Sequence, residues 1–410
     1  MIKIGIDACC LTRPASGVGQ VTIHLLKRFA ALTPEEWGPH FFKAAPDGTC
    51  QRNFEFYLYL DADTHYALPD YFHKRVLPIR RSFAGWGRKW WEARRYPAAV
   101  RRDRCDALIS LYQSAAVMPA TFPHVMVVHD IIPALFPRYT DRLHKHLLLW
   151  LTMRGIKKAS HCIAVSHHTR EDVVRHLGVD RDQISVAHNA VDPIFAAEVP
   201  EQKFETVLKK YGLSRGYIYH GGGLDVRKNT ALVMESYARL LKDLNQGSFS
   251  GPLPPLVISG ALELGNDVAA LAAKLGIADR VAILGRVPQE DLPALYKGAA
   301  VFLYPSRYEG FGLPLLEAMY QGVPAVAANT SSLPEVGGDA VLYCHPDDAD
   351  GLARHVRAIL TNQELREKLS RLGRQRAANF TWDALVRELG AVTGRLLSHS
   401  IKQGSAREAG

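Results

Sequence analysis

Tyr304-Pro305-Ser306-Arg307-Tyr308-Glu309-Gly310-Phe311-Gly312-Leu313-Pro314-Leu315-Leu316-Glu317-Ala318-Met319 reads as the end of a buried strand, a glycine-bearing turn and the start of a helix. The apolar run Val301 to Tyr304 supplies the strand. Pro314 falls where a first helical turn tolerates it, because the N–H that proline lacks has no intrahelical partner there. A strand that turns directly into a helix is one beat of a βαβ unit. Glu309 lies on the turn and Glu317 inside the helix, so the two carboxylates are set apart for different tasks. The backbone N–H groups of Gly312 and Leu313 open the helix, where its dipole favours phosphate or sugar oxygens.

Outward from this stretch the same beat repeats. In the first half, strands are predicted over Ile2 to Asp7, Phe56 to Leu60, Ala107 to Ser110, Val125 to Val128, Cys162 to Val165 and Ile184 to Ala187. In the second half they fall over Tyr217 to His220, Leu256 to Ser259, Val281 to Leu284, Val301 to Tyr304, Ala325 to Ala327 and Val341 to Tyr343. Helical patterns between them include 19–32, 141–158, 169–177, 229–244, 265–275, 313–321 and 349–360. Strands alternating with helices imply parallel sheets. The rhythm lapses into a charged stretch from Pro193 to Lys210, which predicts two doubly wound α/β domains over 1–197 and 213–385, then a terminal helix and tail over 386–410, with 402–410 disordered. Two such domains place chemistry in a cleft at the C-terminal edges of their sheets.

A chain of 410 residues with 47% hydrophobic content exceeds what one core holds and supports two. A charged fraction of 22% excludes a disordered polymer. The chain begins directly on a strand, without the basic and apolar regions of a signal peptide. The apolar run Leu147 to Met153 is far below the roughly 20 residues that cross a bilayer. Six cysteines (Cys9, Cys10, Cys50, Cys105, Cys162, Cys344) show no metal-ligand spacing, as in a reducing compartment, so the expected address is the cytoplasm.

The net charge of +9 is uneven. Between Lys74 and Arg104 stand eleven cations (74, 75, 80, 81, 88, 89, 94, 95, 101, 102, 104) against Glu92 and Asp103, with Trp86, Trp90, Trp91 and Tyr96 interleaved. This composition suits the inner face of an anionic membrane. It equally suits a solvated helix with aromatics in the core, in a segment where Pro97 interrupts any long helix. No recognised nucleic-acid module accompanies it.

Further groups sit at predicted strand ends. Tyr219-His220-Gly221-Gly222-Gly223-Leu224-Asp225-Val226-Arg227-Lys228-Asn229 is a strand, then glycines, then two cations able to clamp a diphosphate. His129-Asp130 follows Val125 to Val128, and Gly17-Val18-Gly19 opens the first helix. Asp61-Ala62-Asp63 mimics a metal-binding pair but reads as a turn.

The segment P-S-x-x-E-G-F-G-L-P-x-x-E-A-M resembles the family 4 retaining glycosyltransferases, whose hallmark is two glutamates separated by seven residues, as Glu309 and Glu317 are. The resemblance implies the GT-B fold of two Rossmann-like domains and a nucleotide-sugar donor. It implies that Glu309 meets the transferred sugar with Gly310, Phe311 and Gly312 lining it, and that Glu317 holds the ribose. In that family the glycine segment commonly reads G-R-L-D-x-x-K. Lys228 matches its lysine, Gly223 stands where arginine is usual, and Arg227 is expected to supply the charge beside Gly222. Gly17 and Gly19 resemble the loop facing donor and acceptor, His129 the histidine near the sugar, and Ser166 a lesser contact. Asn189 to Asp192 reads as a structural loop.

The resemblance extends to bacterial polysaccharide mannosyltransferases through Gly222 to Asn229 and Leu333 to Val336. It implies GDP-mannose as donor, a glycan or lipid-linked saccharide as acceptor, and no required metal. Other readings of such a scaffold are a sugar-nucleotide epimerase, a phosphorylase with pyridoxal phosphate on a lysine, and a non-catalytic glycan-assembly partner.

Overall fold

A computed structural model describes residues 1–12, 17–32, 41, 54–64, 66, 68–79, 86–136, 142–221, 226–245, 253–260 and 268–408. The chain divides into two compact units, Met1–Asn189 with Thr381–Gly410, and Ala190–Phe380.

In the first unit the strands are β1 (Ile2–Asp7), β2 (Phe54–Leu60), β3 (Phe72–Val76), β4 (Ala107–Ser110), β5 (His124–Val128), β6 (His161–Ala164) and β7 (Ile184–Val186). They form one parallel sheet in the order β3-β2-β1-β4-β5-β6-β7. β4 and β5 are buried along their whole length. That explains why they read as unbroken apolar runs rather than as alternating ones.

The second unit carries β8 (Tyr217–His220), β9 (Leu256–Ser259), β10 (Val281–Gly285), β11 (Ala299–Tyr304), β12 (Ala325–Ala328) and β13 (Val341–Cys344), again all parallel, in the order β10-β9-β8-β11-β12-β13. Both sheets reverse their winding direction once, between β1 and β4 and between β8 and β11. The doubly wound, Rossmann-like class implied by the sequence is therefore present in both units. Such a reversal opens a crevice at the carboxyl ends of the two strands that flank it. One apolar core of the second unit joins Ile218, Ile258, Leu303 and Val326 of its sheet to Val233, Met234, Leu352 and Val356 of its helices.

Three expectations are corrected. β3 was not predicted, because Phe72-His73-Lys74-Arg75-Val76 lacks an apolar run. It is the edge of the sheet, where charged side chains are tolerated. Its Lys74 Nζ donates to the Thr64 carbonyl at 2.7 Å, and Arg75 lies 3.2 Å from Asp103, so these cations belong to internal pairs.

Pro97 does not break a helix. The chain is helical through 86–102, as an α-turn at Trp86–Trp90, a π-turn at Trp91–Arg95 and an α-segment at Tyr96–Arg102 with Pro97 in its first turn. The widened turn ahead of Pro97 absorbs the hydrogen bond that proline cannot donate. Lastly, the terminal helix runs from Trp382 to Glu408, through most of the residues expected to be disordered. No described helix is long and apolar enough to cross a membrane.

The helix Leu143–Lys158 is held against the first unit by a close approach at Gly155, where a Cβ would meet the Ser114 carbonyl oxygen at 2.0 Å. Ala favours helix by about 1 kcal/mol over Gly. A backbone clash of this kind costs about 1–3 kcal/mol. Gly155→Ala is therefore expected to lower the melting temperature; a raised value would contradict the close approach.

Candidate active site

The loops that leave β8 and β11 meet at the reversal point of the second sheet. β8 ends in His220, fully buried, whose Nδ1 donates to the Leu303 carbonyl at 2.9 Å and whose Nε2 accepts from the Thr230 hydroxyl at 3.0 Å. Burial pushes its pKa down to about 4, so the ring is neutral and ties β8 to β11 and to the helix Thr230–Asn245. Beyond the strand, Val226–Lys228 forms one short helical turn that presents Arg227 and Lys228.

Both cations converge on Glu309. Lys228 Nζ lies 2.8 Å from Oε1 and Arg227 Nη1 lies 2.7 Å from Oε2. Tyr304 at the end of β11 closes the group: its hydroxyl accepts from Lys228 Nζ at 2.6 Å and donates to Glu309 Oε1 at 2.9 Å. Lys228, Tyr304 and Glu309 are all buried. Burial opposes ionisation of Glu309, but Lys228 and Arg227 overcome it and hold the carboxyl at about 2. The group is thus an ionised carboxylate between two cations.

The backbone around it is fixed with equal care. The Glu309 N–H donates to Ser331 Oγ at 2.9 Å, and Ser332 Oγ donates to the carbonyls of Glu309 and Phe311 at 3.0 and 2.8 Å. Asn229 Nδ2 donates to the carbonyls of Pro305 and Pro346. Asn229 and Ser331 both adopt left-handed backbone, with φ of 62° and 52°. Non-glycine residues in that region carry strain that the surroundings must hold, and such strain concentrates at functional sites.

Gly312, at φ 105°, caps the helix Leu313–Tyr320, and a Cβ there would lie 2.8 Å from Leu333. The turn thus requires glycine. Within that helix Glu317 accepts from the Tyr296 hydroxyl at 2.9 Å. Burial of its carboxyl is the dominant influence and raises its pKa to about 7, while Tyr296 and Lys228 pull the other way. Two glutamates eight positions apart therefore stand at opposite ends of the carboxylate range.

The structure brings Arg227, Lys228, Glu309, Gly310, Phe311, Gly312, Leu313 and Glu317 into one neighbourhood of the second unit. Gly222 and Asp225 lie outside the described residues. Tyr304, Tyr296, Ser331 and Ser332 were missed. Only Tyr304 stood inside a quoted motif, and hydroxyls that tie loops together leave no spacing signal.

The first unit carries its own edge. Gly17 and Gly19 open the helix Gly17–Ala30. His129 is buried and gives its Nε2 proton to the Leu111 carbonyl at 2.9 Å; burial lowers its pKa to about 4. The neutral ring therefore keeps Nδ1 as an acceptor rather than a donor. Ser166 accepts from the Thr169 N–H at 3.0 Å and caps a helix. Asp61 accepts from the Thr12 hydroxyl at 2.9 Å within a bend, consistent with a turn.

Comparison with known proteins places these features in context. Residues 207–376 match the model of the glycosyl transferases group 1, and residues 15–195 that of the Glycosyltransferase Family 4. The chain is 33% identical to the O-antigen chain mannosyltransferase B of Escherichia coli over 63% of its length and 67% of the relative's. It is 24% identical to the O-antigen chain mannosyltransferase RfbU of Salmonella typhimurium, covering 67% and 70%. It spans only 32% of the serotype-specific mannosyltransferase WbdA of Escherichia coli, at 27% identity. Among solved structures, a glycosyltransferase from Rickettsia africae superposes with a TM-score of 0.68 at 15% identity, covering 97% and 98% of the chains. Anabaena Alr3699/HepE in complex with UDP and glucose gives 0.66 at 17%, covering 99% and 100%.

Removing one partner of a buried ion group strands the others, at a cost of about 3–5 kcal/mol. Losing a neutral hydroxyl costs about 1–3 kcal/mol. Glu309→Ala is expected to destabilise the protein in urea more than Tyr304→Phe; the reverse order would remove the carboxylate from the centre of the network.

Proposed function

The chain belongs to the family 4 glycosyltransferases, and from that premise we propose that it moves mannose from GDP-mannose onto a glycan or lipid-linked saccharide, with retention of anomeric configuration. The observation that carries the reading is the Arg227–Glu309–Lys228 group at the reversal point of the second sheet, with Glu309 and Lys228 buried and Glu317 in the helix that follows. The identity to the O-antigen chain mannosyltransferase B supports the sugar.

In this reading Glu309 accepts hydrogen bonds from the transferred sugar, backed by Gly310 to Leu313. Arg227 and Lys228, aligned by the carboxylate between them, set positive charge against the donor diphosphate as it takes on negative charge, and Gly222, shortly before them in the sequence, is assigned to the same donor contact. Charge stabilisation by preset donors requires no reorganisation at the moment of reaction. The departing phosphate oxygen takes the acceptor proton, so the protein contributes position and charge rather than a nucleophile. Gly17, Gly19 and His129 face the acceptor side. No metal is required in this reading, in which Arg227 and Lys228 supply the positive charge set against the diphosphate. The enzyme works at the inner face of the cell membrane, where lipid-linked saccharides are extended.

Glu317 would hold the ribose hydroxyls, which donate more strongly to an ionised carboxylate than to a neutral carboxyl. Its pKa of about 7 without nucleotide fixes the sign of the pH dependence. Below about pH 7 the carboxyl is increasingly protonated and a weaker acceptor, so nucleotide affinity falls as pH drops from 8 to 6. Glu317→Gln removes that dependence.

Three outcomes test the reading. GDP-mannose, within a panel of GDP-, UDP-, dTDP- and ADP-sugars, should raise the melting temperature most. Glu317→Ala should weaken nucleotide binding by about 10–100-fold, since a hydrogen bond to a charged group contributes about 1.5–3 kcal/mol. Lys228→Ala should lower kcat by about 10²–10³-fold. Near-normal activity in both variants would overturn the site, and a larger shift with another nucleotide would overturn the donor.

A further inference from the structure

Two neighbouring helices of the first unit expose large apolar side chains in register. On 86–102 these are Trp86 and Trp90, one helical turn apart, with Trp90 61% exposed. On Leu143–Lys158 they are Leu143, Leu147 and Trp150, at spacings that share one helix face, exposed by 90%, 45% and 56%. The two helices touch. Both stripes run on into an exposed cation, Arg94 after Trp90 and Arg154 after Trp150.

Neither helix is amphipathic by accident of its inner packing. Thr152, Gly155 and Ile156 face inward on one. On the other, Trp91, Glu92 and Tyr96 are buried. The burial therefore selects which side chains point out, and the outward ones join these five apolar side chains to cations. Isolated exposed apolar residues need no explanation, whereas five on two touching helices mark an interaction surface.

The charge around the surface identifies what covers it. Leu143–Lys158 contains Lys145, Arg154, Lys157 and Lys158 and no acidic residue. Within 86–102 the sole acid is Glu92, fully buried, with Arg88 at 3.0 Å and Lys89 at 2.6 Å spent on it. Arg94, Arg95, Arg101 and Arg102 remain exposed. A protein partner would call for acids matched to individual arginines, while a uniform cationic rim about tryptophans and leucines matches an anionic lipid surface: the rings lie at headgroup depth, and each nearby Lys or Arg adds about 1 kcal/mol.

We propose that Trp86, Trp90, Leu143, Leu147 and Trp150 form a membrane-docking surface for anionic bilayers, with Arg94, Arg154, Lys157 and Lys158 as its rim. This deepens the proposed placement of the enzyme at the membrane and moves its basis from the whole of 74–104 to two helix faces, one of which lies beyond that segment. Lys74, Arg75, Arg88 and Lys89 drop out because they pair internally.

The test is sedimentation of the full chain with phosphatidylcholine vesicles containing about a third phosphatidylglycerol, against pure phosphatidylcholine, at low salt. No nucleotide sugar is added, so the result stands apart from the donor assignment. The expected result is binding to the anionic vesicles alone. A Leu143→Ser/Leu147→Ser/Trp150→Ser variant and, separately, Trp90→Ser should each lose at least tenfold in binding while keeping the melting temperature and the nucleotide-induced shift. Quenching of tryptophan emission by brominated lipid in the wild type should vanish with the variants. Failure of the wild type to bind, or unchanged binding by both variants, overturns the proposal. So does a wild-type dimer that the triple variant dissociates, since a second copy would then cover the surface.

Discussion

A carboxylate buried between two cations governs the second unit. Glu309 sits 81 residues along the chain from Lys228, and both lie in loops that leave adjacent strands of one sheet, so their pairing exists only once β8 and β11 are side by side. Removing three charges from water costs several kcal/mol per ion, a deficit that mutual attraction and the Tyr304 hydroxyl offset. Such a group is poor evidence for stability. It is better evidence for a site whose charges must be held in fixed positions, and the left-handed Asn229 and Ser331 beside it point the same way. The carboxylate keeps Arg227 and Lys228 from folding out into solvent, as exposed cations on flexible stems would.

Environment, not residue type, separates the two glutamates. Glu309 is buried with two cations and ionises readily; Glu317 is half-buried, its carboxyl turned inward with a single hydroxyl donor and Lys228 farther away, and holds its proton up to about 7. Burial alone raises a carboxyl pKa, and a charge partner reverses the outcome. The same contrast operates in the first unit. Asp7, at the end of β1, is pushed up to about 6 chiefly by burial, whereas Glu92, equally buried, is drawn below its usual range by Lys89 and Arg88.

Much of the fold was legible because parallel strands buried on both faces announce themselves as apolar runs. All twelve predicted strands lie at sheet positions, and β3 escaped because an edge strand tolerates Lys74 and Arg75. The helix through Pro97 escaped for a different reason: a π-turn is a cooperative adjustment of several hydrogen bonds that local propensity does not encode. At the site, motif spacing located Glu309, Glu317 and Lys228, but it gave no hint that Lys228 and Arg227 grip Glu309 itself. Tyr304, Tyr296 and Ser331 act through contacts that only the folded loops create.

The helix 86–102 shows why charge counted along a sequence misleads. Its inward side carries Arg88 and Glu92 to the end of β1 and the loop after β4. There Arg88 Nη2 donates to Cys9 Sγ at 3.1 Å, and Glu92 accepts from the Tyr112 hydroxyl at 2.9 Å and the Ala115 N–H at 2.9 Å. Four donors on one carboxylate make it a rivet between helix and sheet edge. Because the rivet fixes the rotation of the helix, Trp86 and Trp90 have no freedom to turn inward and bury their rings. Their exposure follows from the buried ion pairs beneath them, so the polar interior and the apolar exterior of this helix are two consequences of one constraint.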